Sequence, residues 1–159
     1  MAGLHEADID VVSYLPDSVT WSLIDSVEHD ETLDTVLVHR EEEAVNLLSG
    51  AWLGGQQGAL ICQTSGLANT FNALGSASEP WGLPFVGIVS RRGDLGEHNR
   101  AQIAAGYNMH ELLDTIGVRN TIVGDGDDAQ EMVKLAAETA FSTETPYVLL
   151  LDETFTGGK

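Results

Sequence analysis

Six short apolar, β-branched runs, spaced along the whole chain, constrain the fold more than any other feature. They are Val11 to Leu15, Thr35 to His39, Gly58 to Gln63, Phe85 to Ser90, Asn120 to Val123 and Tyr147 to Leu151. Most are nearly continuous rather than alternating, the pattern of strands covered on both faces. Helical patterns lie between them. Asp17 or Ser18 is placed to cap a helix through about Val27. Glu41 to Leu53 carries Ala44, Leu47, Leu48 and Ala51 at core spacing and stops near Gly54-Gly55. Ser65 to Leu74 follows the third run, Met109 to Ile116 ends at Gly117, and Asp127 or Asp128 caps a helix through Phe141. Strands alternating with helices predict a single three-layer α/β domain over residues 1–159. Its six-stranded parallel sheet is expected to be joined by right-handed crossovers and covered by helices on both faces.

Composition narrows the function classes. The chain carries 25 Asp plus Glu against 7 Lys plus Arg, a formal net charge of −18, with lysine only at positions 134 and 159. Such a surface repels nucleic acid and anionic membranes, so neither is expected as a partner. It also repels itself at low salt, which is the expectation for a halophile's protein. No apolar run approaches a membrane span, and the first residues lack the basic-then-apolar pattern of a signal peptide. Cys62 is the one cysteine, so no internal disulfide forms and a cytoplasmic location is expected.

In an open parallel sheet, ligands sit beyond the C-terminal strand ends. Those ends are Pro16-Asp17-Ser18, His39-Arg40-Glu41, Thr64-Ser65-Gly66 and Arg91-Arg92-Gly93. The three acids Glu41, Glu42 and Glu43 suit a helix's first turn, where each interacts favourably with the dipole by about 0.3–1 kcal/mol. Ser65-Gly66 leads straight from a buried strand into a helix, either as a plain capping turn or as a place where backbone approaches a ligand. It lacks the Lys and the glycine spacing of a P-loop. Gly124-Asp125-Gly126-Asp127 is expected to be a strand-to-helix turn rather than a cation motif. The five histidines show no metal spacing, and no metal ligand is expected in this chain. Arg91 to Gly106 is the longest stretch without a regular pattern, and its length marks it as functional or mobile.

The run from His39 through Glu41 to Gly50-Ala51, followed by Gly58 to Asn69 with Thr64-Ser65-Gly66-Leu67, resembles the pyrimidine-binding domain of thiamine-diphosphate enzymes. Likeness is greatest to sulfopyruvate decarboxylase alpha subunits, with phosphonopyruvate decarboxylases next. Pro16-Asp17-Ser18, Leu83-Pro84, Arg92-Gly93, Gly96-Glu97, Ala101-Gln102 and Gly106 extend it over nearly the whole chain. Ala68 stands where the family usually has glycine.

The resemblance implies a lyase subunit acting on a 2-oxo acid, 3-sulfopyruvate first and phosphonopyruvate as the alternative. A non-catalytic partner protein of the same fold remains open. It implies that Glu41, by its register nine positions before Gly50, is the cofactor-activating carboxylate, and that Ser65, Gly66 and Leu67 line the pyrimidine. Ser18, Arg92 and Gln102 are the implied substrate contacts, and His39 a possible proton relay. Both arginines could equally be engaged in salt bridges. In this family a second domain holds the diphosphate and Mg²⁺ through a Gly-Asp-Gly motif with later asparagines. No asparagine follows Gly126 here. The resemblance therefore implies that thiamine diphosphate is shared with a separate beta subunit, which binds the Mg²⁺. It also links such enzymes to coenzyme M biosynthesis.

Overall fold

The computed structural model describes residues 1–156. Its six strands are β1 (Val11–Tyr14), β2 (Asp34–Leu37), β3 (Gly58–Gln63), β4 (Val86–Ser90), β5 (Arg119–Val123) and β6 (Tyr147–Leu151). All pairings are parallel, and the order across the sheet is β2-β1-β3-β4-β6-β5. The helices are α1 (Ala2–Glu6), α2 (Trp21–Glu28), α3 (Glu41–Leu53), α4 (Thr64–Leu67), α5 (Phe71–Ala73), α6 (Arg100–Tyr107), α7 (Met109–Thr115), α8 (Ala129–Thr143) and α9 (Glu153–Thr156). A single 3₁₀ turn (Ala68–Thr70) joins α4 to α5, and a π turn (Leu74–Ser78) follows.

Successive strand residues point to opposite faces, so the sheet divides the apolar residues into two cores. On one face Val12, Ala59, Ile61, Ile88 and Leu149 pack with Leu4, Ile24, Ala136 and Ala140 from α1, α2 and α8. On the other, Leu60, Cys62, Val89, Val148 and Leu150 pack with Ala44, Leu48, Leu67, Met109 and Leu113 from α3, α4 and α7. Each large side chain fully removed from water contributes about 1.5–3 kcal/mol. The expected three-layer α/β architecture is the one observed. The edge strand β2 departs from the covered pattern, with Asp34, Thr35 and Leu37 exposed.

Two local expectations change and a third is narrowed to one residue. Arg91 to Gly106 is not irregular throughout, because α6 occupies its second half. The Asn99 side-chain carbonyl accepts from the Ala101 N–H at 3.0 Å and starts that helix. It escaped sequence reading because its apolar residues make no buried stripe; among them, only Gly106 is buried. Asp17, not Ser18, closes the turn before α2. Its Oδ2 accepts from the Val19 and Thr20 N–H groups and from the Thr20 hydroxyl, and the helix begins only at Trp21. Asp127 and Asp128 divide their work: Asp128 caps α8, while Asp127 accepts from the Gly124 N–H and closes the turn.

Candidate active site

Glu41, Glu42 and Glu43 are the first three residues of α3, entered from Arg40 in extended conformation. Adjacent in sequence, they point in different directions, and the fold gives each a different partner. Glu43 reaches back past the N-cap Arg40 to accept the His39 N–H at 3.1 Å. Glu42 meets the Arg40 Nε at 3.1 Å on the surface. Glu41 turns inward, over the start of α4. A Cβ on Gly66 would stand 1.8 Å from Glu41 Oε1, 2.3 Å from its Cδ and 2.8 Å from its Cγ. The carboxyl group thus lies directly against the Gly66 Cα, in space that only glycine leaves open.

The residues around this corner have distinct jobs. Ser65 is partly exposed and Gly66 is buried. Leu67 is completely buried within the core, so its side chain anchors the turn and only its backbone can face a ligand. Thr64 is also completely buried, and its hydroxyl accepts the Arg92 N–H at 3.2 Å. Sequence reading gave Thr64 no role of its own; its position at the junction of β3 and α4, just before Ser65-Gly66, was the available signal. Beneath the corner, burial pushes the Cys62 thiol well up, and the charges of Glu41 and Asp17 add to that effect, so it stays protonated and inert. His39 is exposed and contributes its backbone N–H to Glu43.

Beside this corner a cleft of about 800 Å³ opens at the C-terminal ends of β1, β4 and β6. Ser18 and Arg92 both line it, together with Arg91, Asp94, Glu97, Arg100 and Glu153. Gln102 does not line it; the Gln102 side-chain oxygen is buried without a hydrogen-bond partner among the described residues. The two arginines of the pair are engaged. Arg92 Nε binds Glu97 Oε2 at 2.9 Å, with the side chains only 15% and 9% exposed. That bond, joined by the Asn99 N–H, draws the Glu97 carboxyl down to about 2. Arg91 meets Asp94 Oδ1 at 3.0 Å and lies 5.8 Å from the centre of the Tyr107 ring. Burial raises the Asp94 carboxyl; Arg91 opposes the shift, while Asp152 and Glu153 add to it.

Backbone contacts lock the cleft's wall to the Glu41 corner. A Cβ on Gly106 would stand 2.0 Å from the Arg92 carbonyl oxygen, so α6 rests on the loop after β4. Gly93, at φ +87°, packs against the Ile103 and Tyr107 backbone in the same way. A second cavity of about 520 Å³ lies on the opposite face of the sheet, between α1, α2 and α8, lined by apolar residues such as Leu4, Leu23 and Met132. Thr20, Ser22 and Gln130 are its polar side chains, and none of its lining side chains is ionisable. Among the described residues no cluster of His, Cys, Asp or Glu could hold a metal, and no helix is long and apolar enough to cross a membrane.

Comparison with known proteins bears on this site. The alpha subunit of sulfopyruvate decarboxylase from Methanococcus maripaludis is 34% identical over 147 residues, spanning 92% of this chain and 88% of that subunit. The chain belongs to the sulfopyruvate decarboxylase alpha-subunit family. The family's Methanocaldococcus jannaschii alpha subunit is 31% identical over 149 residues, again across 88% of its own length. Phosphonopyruvate decarboxylase of Streptomyces viridochromogenes is 33% identical over 155 residues, which make up 39% of that longer protein. No family model matches the chain. In solved structures, the fold recurs in 2-oxoglutarate:ferredoxin oxidoreductase from Magnetococcus marinus. The TM-score is 0.73 at 16% identity, over 98% of this chain and 28% of that one.

Proposed function

We propose that this chain is the pyrimidine-binding subunit of a cytoplasmic, thiamine-diphosphate-dependent decarboxylase that converts 3-sulfopyruvate to sulfoacetaldehyde and CO₂. A separate beta subunit supplies the diphosphate-binding domain and the Mg²⁺. The observation that carries this reading is the Glu41 carboxyl seated on the Gly66 Cα. Family membership supports the assignment of the reaction, since the relatives are decarboxylase alpha subunits. The need for a partner is supported by the relatives' being alpha subunits, and by the match extending over only 39% of the longer phosphonopyruvate enzyme.

The residues present suit the cofactor. When bound, thiamine diphosphate supplies a nucleophilic carbon and an electron sink for the loss of CO₂. Glu41 would hold the pyrimidine N1′ and its proton. Its position is preorganised, because Gly66 removes the side chain that would otherwise push the carboxyl away. The backbone of Ser65, Gly66 and Leu67 would line the pyrimidine, with Leu67 fixed from behind by the core. Thr64 ties this turn to the substrate-facing loop through the Arg92 N–H. Ser18, lining the cleft, would offer its hydroxyl to the substrate. Arg92 acts there as a wall of the cleft, through its bond to Glu97.

A phosphonate in place of the sulfonate is the second reading, favoured by the 33% identity to the Streptomyces enzyme. The test is a substrate panel. The chain and its beta subunit, mixed with thiamine diphosphate and Mg²⁺, are assayed for CO₂ release from 3-sulfopyruvate, phosphonopyruvate and pyruvate. The highest kcat/KM is expected for 3-sulfopyruvate; preference for phosphonopyruvate installs the second reading, and no release from any of them removes both.

A further inference from the structure

We infer that Arg100 recognises the distal anionic group of the substrate, and that Arg91 and Arg92, the more conspicuous pair, do not. The inference rests on the proposed reaction on a 2-oxo acid with an acidic tail. It starts from where the chain spends its few cations. Three of its seven basic residues line the single cleft beside Glu41, against three of its 25 acids. On a chain of net charge −18, that cleft carries as many arginines as acids, which lowers its repulsion of an anion.

Within the cleft the three arginines are not equivalent. Arg92 is held by Glu97 at 2.9 Å and Arg91 by Asp94 at 3.0 Å, each pair largely buried. Breaking either to bind a ligand would strand a buried carboxylate. Arg100 is exposed and makes no salt bridge among the described residues. Its charge is therefore available without the loss of an existing pair.

The position also goes against local preference. Arg100 is the first residue of α6, where the helix dipole disfavours a cation, and that first turn has no acidic residue. By contrast α3, α7 and α8 each place glutamate in the first turn. A chain so rich in acid that sets arginine at this point accepts a small cost in stability, as happens at functional positions. Ser18, which lines the same cleft, supplies a hydroxyl for the same anion. A sulfonate or phosphonate has the oxygens to accept from both.

The experiment uses the chain assembled with its beta subunit. Arg100→Gln and Arg100→Lys are compared with wild type on 3-sulfopyruvate and on 2-oxobutanoate, which has no distal acid. Loss of a charge-assisted bond is expected to raise KM for 3-sulfopyruvate by about 10- to 100-fold at nearly constant kcat. Lysine should recover part of it, and 2-oxobutanoate should change by less than about twofold. An equal loss on both substrates, or no loss on either, overturns the inference. Calorimetric binding of 3-sulfopropanoate, an unreactive dianion, separates this claim from the reaction. Affinity that falls at least about tenfold in Arg100→Gln supports the role even if no 2-oxo acid is turned over, in which case the reaction assignment alone fails. Equal affinity in wild type and variant, or none in wild type, removes the role of Arg100.

Discussion

Gly66 and Gly106 are both closed to a methyl group, for different reasons. A Cβ on Gly66 would strike a side-chain oxygen, Glu41 Oε1, at 1.8 Å; one on Gly106 would strike a backbone oxygen, that of Arg92, at 2.0 Å. A glutamate can swing away, whereas a carbonyl in a packed loop cannot without moving the chain. The first glycine therefore guards the placement of the Glu41 carboxyl, and the second guards the fold of the cleft wall. The difference separates a corner set by close steric fit from a loop set by ion pairs and backbone packing.

The largest effect is expected at the corner. Gly66→Ala should lower decarboxylation by about 100-fold or more, the scale of losing one preorganised electrostatic group. The folded state should persist, because the displaced carboxyl has solvent to move into. Circular dichroism beside a CO₂-release assay checks both halves of that statement. Unfolding of Gly66→Ala, or near-wild-type activity, would break the contrast.

Gly106→Ala should do the reverse. Forcing a methyl against the Arg92 carbonyl costs about 1–3 kcal/mol, a fall in Tm of roughly 3–10 °C by calorimetry. Activity at temperatures where it stays folded should decline less than in Gly66→Ala.

Strong acid should loosen the loop. The Glu97 carboxyl is drawn down to about 2 from an ordinary 4.5. Its stabilising contribution is complete above about pH 4.5 and disappears as pH falls through the folded value. Melting temperatures of wild type and Arg92→Gln, compared between pH 5 and pH 2, should converge at the acid end. A constant gap would show that the pair does not titrate with folding.

The smallest effect sharpens the reading of the glutamate triplet. Glu42→Gln removes an exposed pair with Arg40 and should change stability by less than about 0.5 kcal/mol, with activity unchanged. Glu43→Gln should leave activity unchanged as well, since an amide oxygen still accepts the His39 N–H. A large loss of activity in either would move the functional carboxylate away from Glu41.

Much of this was legible in the chain. The buried strands announced themselves because a strand covered on both faces is largely apolar, and four of the six runs, those of β1, β3, β4 and β6, lie in the interior of the sheet. The register of Glu41 singled it out from its neighbours, and of the three it is the one that turns onto Gly66, while Glu42 meets Arg40 and Glu43 meets the His39 N–H. Less legible was everything held by contacts distant in sequence. Helix α6 was hidden because it covers little apolar surface, and its start depends on one asparagine. No pattern could say that Arg92 would turn to Glu97 five residues on, or that Gln102 would leave the cleft. Leu67 illustrates a third limit. In a segment that passes from α-helical to 3₁₀ to π geometry, periodicity no longer tells which side chain faces inward.

The central claim is that this chain provides the carboxylate half of a shared thiamine site. Its most direct test is CO₂ release from 3-sulfopyruvate by the chain alone, by its beta subunit alone, by the two together, and by the mixture carrying Glu41→Gln, all with thiamine diphosphate and Mg²⁺. Activity is expected only when both wild-type chains are present, with a loss of at least about 100-fold in Glu41→Gln. Turnover by the chain alone, or an active Glu41→Gln mixture, would contradict the account.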